Sequence, residues 1–324
     1  MDLMKTQTRF QAFFSVFKQA ILTVERHFYL ILLPLALDLF LLFGPRLGLS
    51  KILNPIIASL PAIDNFEQQF SLSWEAFLAR TMESVAQFNV FSSLRTLPFG
   101  VPSMMSQRLG IAGPFGAAQQ LELNSFSAAF LAFLLLSLIG VFLGTVYFKL
   151  ISRAVRQEIL NDSKPSNSIL LSCLNLVALN LLTWLVGLVL LVPAVIVLGL
   201  LLRLSPSLGY VAYMLVTILV LSFVMPLVFT PNFVIAERSS FFQAAFDSVK
   251  LTRKSGILFS MFIVLSISAY YLTNLLWNSA PDTSPFVLVG VFGHALVTTI
   301  LLAASFHFVE WLEKAEIGQK PLIV

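Results

Sequence analysis

Apolar residues in this chain gather into six runs, at residues 28–43, 126–148, 169–202, 208–229, 256–277 and 286–308. A helix needs about 20 apolar residues to cross the ~30 Å hydrocarbon core of a bilayer, and every run but the first has them. The pattern predicts an all-α integral membrane protein with about six transmembrane helices. The 28–43 run would cover only ~24 Å as a helix, and it contains Pro34 and Asp38. It must borrow length from His27, thin the bilayer or lie partly in the interface. The 169–202 run would cover ~51 Å, more than one crossing needs and less than two crossings with a turn. One long tilted helix, kinked near Pro193, is expected, with a crossing followed by a re-entrant piece as the alternative.

The segments between the runs divide the chain further. Residues 1–27 read as an interfacial amphipathic helix, 28–43 as the first transmembrane helix and 310–324 as a tail. Residues 126–309 form the transmembrane bundle, interrupted by an interfacial helix at 239–254. Residues 44–125 mix helical pieces such as 73–88 with breakers at Pro55, Pro61, Pro98, Pro102 and Pro114. That segment predicts an insertion of short helices lying on the membrane surface. The spacing Gly110-Ile-Ala-Gly113-Pro-Phe-Gly116 superficially matches a phosphate-binding loop. Without the strand and lysine such loops use, it reads as a turn.

Two distant segments echo one another. Thr8-Arg-Phe-Gln-Ala-Phe-Phe-Ser-Val-Phe-Lys18 runs in step with Ser240-Phe-Phe-Gln-Ala-Ala-Phe-Asp-Ser-Val-Lys250, so that Phe10, Phe14 and Lys18 recur as Phe242, Phe246 and Lys250. Each copy has the form of a capping box, Thr8 with Gln11 and Ser240 with Gln243. Each then places apolar residues at helical spacing and leads into a membrane run. A helix with an aromatic face and a basic opposite face lies flat in the interface. Residues 152–161 form a third candidate copy, which would give repeated units of an interfacial helix followed by a helical hairpin.

The stretch Pro231-Asn-Phe-Val-Ile-Ala-Glu237, followed by Ala244, Ser248 and Leu251 before a new membrane run, resembles a segment of uncharacterised bacterial multi-pass proteins. It is also similar to part of the membrane region attached to some glycerophosphodiester phosphodiesterases. The resemblance covers about thirty residues. It implies an all-helical bundle with interfacial helices between the spans. The soluble phosphodiesterase barrel and its metal-binding acids have no counterpart in these residues, so that activity does not carry over.

Composition sharpens the membrane reading. The chain is 58% hydrophobic and 11% charged, with a mean hydropathy of +0.89, against about 25% charged in ordinary soluble domains. Its net charge of +4 comes from basic residues dispersed at the ends of apolar runs, which argues against nucleic acid as a partner. With the N-terminus inside, fourteen of the 20 Lys and Arg fall in cytoplasmic segments. Six crossings with both termini cytoplasmic, in the cell membrane, is the orientation this bias selects. The first run lacks a short basic leader and a small-residue cleavage site, so it reads as an uncleaved signal anchor. Cys173, the single cysteine, sits within an apolar run and reads as a small buried hydrophobe.

Candidate chemistry is sparse. Asp38 is the one acid in mid-run, where an ionised carboxylate exposed to lipid would cost ~3 kcal/mol. It is expected to face a polar group on another helix and, in a functional reading, to form a proton or cation site with His294. Asn175, Asn180 and Asn274 are candidate interhelical hydrogen-bonding residues. Gly140 with Gly144, and Gly290 with Gly293, offer close helix packing. His27 and His307 read as boundary residues. The histidines and the cysteine make no metal spacing, and no cofactor is implied. The leading expectation is a non-enzymatic scaffold or accessory component whose partners are the lipid bilayer and other membrane proteins. A transporter or channel using Asp38 and His294 is the second reading, and a lipid-active membrane enzyme the third.

Overall fold

The computed structural model describes residues 2–62, 73–96, 99–108, 112–160, 168–236 and 240–316. It is an all-α membrane protein. Among the described residues, five helices are long and apolar enough to cross a membrane, or six if one sharply bent pair is counted as a span.

The bent pair opens the chain. Helix α1 (Asp2–Arg26) meets a 3-10 turn (Phe28–Ile31) and then α2 (Leu32–Phe43), with a 92° angle between the two arms. The turn and α2 together cover ~26 Å, close to the thickness of the hydrocarbon core. Helix α1 is therefore perpendicular to the apolar arm, the geometry of a helix lying flat. It starts well before Thr8, which sits in the helix interior, so the expected capping box at that site does not form.

The insertion after α2 is more than short helices on a surface. Helices α3 (Ser50–Ala58) and α4 (Trp74–Gln87) pack on each other, and Ser73 caps α4 by accepting from the Ala76 N–H at 3.2 Å. Strand β1 (Arg46–Gly48) pairs in parallel with β4 (Gln120–Glu122), clasping the two ends of the insertion together. Between them, β2 (Ala112–Gly113) and β3 (Gly116–Ala117) form a minimal hairpin. Gly116 has φ +118°, which a side chain would resist, so residues 113–116 form the expected turn; Gly110 lies outside the described residues. The middle of the insertion, a 3-10 segment (Val90–Arg95) and the residues around a second one (Met105–Gln107), turns inward. Val101, Ser103, Met104 and Met105 are all buried.

Helix α5 (Phe126–Leu160) runs without a break through residues 152–160 of the candidate third repeat copy, which are therefore the C-terminal part of a long helix and not a separate element; residue 161 lies outside the described residues. Helix α6 (Ile169–Leu204) is likewise one helix through Pro193, so no re-entrant piece exists there. Ser205 is extended and serves as C-cap of α6 and N-cap of α7 (Pro206–Val224), with Pro206 in the first turn where its missing N–H costs nothing. The two helices form a hairpin whose most apolar windows are entirely unburied, as lipid-facing helices should be.

After a 3-10 turn (Met225–Leu227), the six residues of α8 (Thr230–Ile235) are all buried. This is the core of the segment that carried the family resemblance. Helix α9 (Phe241–Lys254) follows. Ser240 is its N-cap but makes no side-chain capping bond, so the second capping box is also absent. Helix α10 (Gly256–Trp277) and α11 (Val287–Glu316) complete the bundle. Helix α11 is central, with 56% of its most apolar window buried. It continues beyond the expected span, and Glu310 and Leu312 are buried, so residues 310–316 belong to the helix and not to a tail. One aromatic cluster, Phe13, Phe17, Phe229, Phe262, Phe308 and Trp311, ties α1, α10 and α11 to the entry of α8.

Candidate functional site

Asp38 is completely buried, on the face of α2 that also buries Pro34, Leu37, Leu41 and Leu42. Its carboxylate accepts from Ser103 Oγ at 2.5 Å, from the Met105 N–H at 3.0 Å and from the Met104 N–H at 3.2 Å. Ser103 Oγ in turn accepts from the Ser106 N–H at 3.0 Å. The acid thus satisfies, from another element, the free N–H groups that begin the Met105–Gln107 turn. The expectation that Asp38 faces the interior holds. Its partner is the inward-turning loop of the insertion, and not a polar group of another membrane helix as expected. The reason is local: a 3-10 turn inside a bundle leaves N–H donors that no neighbouring helix backbone can accept.

His294 is buried on α11, with its ring edge-on to Tyr270 at 5.8 Å, and makes no hydrogen bond to Asp38. Helices α2 and α11 pack on each other, but Asp38 and His294 do not form a pair. Among the described residues, His294 Nε2, Asn274 Oδ1, Ser266 Oγ and Trp277 Nε1 are buried without hydrogen-bond partners. Asn180 donates to the Leu176 carbonyl of its own helix at 3.0 Å, so it is not the interhelical donor expected. Asn175 is half-buried on α6.

The interhelical polar contacts that do form were not anticipated. Asn232 Nδ2 donates to Ser305 Oγ at 2.9 Å, and the Tyr147 and Thr299 hydroxyls lie 2.8 Å apart. At the opposite end from Asp38, Thr23 Oγ1 donates to Glu158 Oε2 at 2.5 Å and lies 2.8 Å from His307 Nε2. With the hydroxyl proton given to Glu158, His307 Nε2 must donate, so its Nδ1 carries the lone pair. His307 is thereby a buried residue in a link that joins α1, α5 and α11. Arg26 completes the chain at 3.4 Å from Glu158.

All four glycines are packing sites, two of them with different partners from those expected. A Cβ on Gly140 would come within 2.0 Å of Thr96 Oγ1, and one on Gly144 within 2.8 Å of the Gly100 Cα. The close approach on α5 is made by the insertion loop, not by another helix. On α11, a Cβ on Gly290 would meet the Trp277 carbonyl oxygen at 2.6 Å, and one on Gly293 the Trp277 ring at 2.6 Å. Here the expected close packing of helices is present. Arg108 reinforces the same corner by donating to the Trp277 carbonyl at 3.2 Å, the Ala280 carbonyl at 3.1 Å and Asn278 Oδ1 at 3.0 Å, and by pairing with Asp282. A cation bonded to the last carbonyl of α10 also suits the negative end of that helix. Arg46, buried nearby, has its guanidinium pushed below its ordinary range by desolvation, which the Asp282 charge partly opposes. No family model, curated protein or solved structure matches this chain.

Proposed function

We propose that the protein is a non-enzymatic scaffold or accessory component of the cell membrane, with both termini cytoplasmic and residues 44–125 outside. One observation carries this reading: the acid within the first apolar run is spent on structure. A reversible proton or cation site needs lone pairs that a ligand can reach. The Asp38 carboxylate has no exposed surface and accepts three donors from one loop. Loading it with a cation would strip two backbone N–H groups and a hydroxyl of their acceptor, at about 1–3 kcal/mol each. The contacts also support the sidedness drawn from the basic residues. Helix α1 joins the inner ends of α5 and α11 through Thr23, Glu158 and His307, whereas the insertion joins the α10–α11 connection through Arg108.

A transporter remains the second reading, because Ser266 Oγ, Asn274 Oδ1, Trp277 Nε1 and His294 Nε2 are buried without partners on the adjacent helices α10 and α11. Reconstituted proteoliposomes separate the two. The scaffold reading expects no proton or cation flux above that of protein-free vesicles, and Asp38→Asn to leave this baseline unchanged. A flux present in the native protein and abolished by Asp38→Asn or His294→Ala would overturn it.

A further inference from the structure

The repeat seen in the sequence is also a repeat of burial along two rows of each helix. Ala12 and Ala244 are buried, as are Val16 and Ser248, and Ala20 and Thr252. The rows between them are exposed in both copies: Gln11 and Gln243, Phe14 and Phe246, Lys18 and Lys250, Ile21 and Arg253. Helices α1 and α9 therefore sit on the bundle at the same rotation, and each turns outward a row spaced by four residues that runs from phenylalanine to lysine. The aromatic and basic groups share this row, and do not occupy opposite faces as expected. Phe14 is 56% exposed, Phe242 78% and Phe246 70%, among the largest exposures of any phenylalanine outside the membrane spans. A soluble protein would not hold rings there twice.

From this geometry we infer that the two rows form a paired site for anionic phospholipid. The rings of Phe14, Phe242 and Phe246 enter the boundary between acyl chains and headgroups, and Lys18, Lys250 and Arg253 meet the phosphates. Placement argues for this occupant. Helix α9 ends at Ser255, directly against the membrane helix α10, and α1 makes a 92° angle with the apolar arm that follows it. The α1 row thus runs across the apolar arm that follows it, and the α9 row adjoins the start of a membrane helix. Charge argues for it as well: α9 carries Lys250, Arg253 and Lys254 against Asp247 alone. An exposed cation near an anionic surface contributes ~1 kcal/mol, and apolar insertion adds to that.

The test uses the full chain in a Cys173→Ser background, reconstituted in phosphatidylcholine bilayers. A bimane label is placed at Phe246→Cys, at Phe14→Cys or, as a lipid-facing control on α10, at Val264→Cys. Equal small fractions of brominated phosphatidylglycerol or brominated phosphatidylcholine are then compared as quenchers. Positions 246 and 14 are expected to be quenched severalfold more by the anionic lipid, and position 264 equally by both. Combining Lys18→Gln, Lys250→Gln and Arg253→Gln should bring the ratio of quenching by the two lipids at 246 and 14 close to one, without altering quenching at 264. Equal quenching by both lipids at 246 and 14 would overturn the inference. So would quenching of those labels by aqueous iodide with brominated lipid silent, or disulfide formation between two copies through Phe246→Cys.

Discussion

Removing the Asp38 carboxyl group should release the loop that penetrates the bundle. In Asp38→Ala the hydroxyl of Ser103 and the N–H groups of Met104 and Met105 lose their acceptor inside a site with no exposed surface. Each orphaned donor costs ~1–3 kcal/mol, and partial relaxation brings the expected loss to about 4 kcal/mol. Asp38→Asn keeps one oxygen for Ser103 and Met105 but turns an amide N–H₂ toward the Met104 N–H, for a loss of about 1–2 kcal/mol. Ser103→Ala should cost about 1–2 kcal/mol, because the Ser106 N–H loses its acceptor as well. A double-mutant cycle between positions 38 and 103 should return a coupling of at least ~1 kcal/mol. Thermal melting of the detergent-solubilised full chain reads the stability. Trypsin cleavage after Arg95 and Arg108, which flank the loop, reads its release and should accelerate in Asp38→Ala. If Asp38→Ala melts within ~0.5 kcal/mol of the parent and is cut no faster, the carboxylate does not hold the loop, and the structural reading of Asp38 fails.

Three further outcomes follow from the same geometry. Gly293→Ala should destabilise by about 1–3 kcal/mol, because the new methyl must displace the Trp277 ring, and Trp277→Leu in the same chain should recover part of the loss in a melting assay. Thr23→Val keeps the shape but takes the hydroxyl from both Glu158 and His307, and should cost about 2 kcal/mol by the same measurement, with Thr23→Ser nearly neutral. Single cysteines in a Cys173→Ser background should react with a membrane-impermeant maleimide in intact cells at Ser59→Cys and not at Gln243→Cys. The reverse pattern would invert the proposed orientation.

How far the sequence disclosed this architecture depended on whether the signal was a periodicity or a pairing. The spans at 256–277 and 169–202 appear within a few residues of their expected limits, because uninterrupted apolar length is a property of the chain alone. The C-terminal part of α5 has the amphipathic pattern of a third repeat copy, with Ala154, Val155 and Ile159 apolar and Arg153, Arg156 and Glu158 polar, but it is not a separate helix. The helix simply continues, since Ile151, Ala154 and Val155 keep a buried stripe along it. Both capping boxes matched by residue type and failed by geometry. A helix begins where the backbone first turns, and α1 had turned before Thr8.

The polar contacts were the least legible, for a physical reason. A buried hydrogen-bonding group in a bilayer has to be satisfied, but sequence spacing does not say by whom. Asp38 drew attention through its apolar neighbours, yet it is matched by a serine and two backbone amides more than sixty residues away, which no side-chain pattern marks. His307 looked ordinary because it lies near the end of an apolar run, and only the packing of α1 across α11 brings Thr23 to its ring. The internal repeat behaves differently. Its residues determine which row of each helix can be buried: the alanines and small side chains fit against the bundle, and the phenylalanine–lysine row cannot. The same rotation therefore arises twice from the same spacing, although α1 and α9 pack on different neighbours. What the repeat holds constant between its copies is the outward row, so the shared property of the two helices is the surface they offer and not the contacts they make.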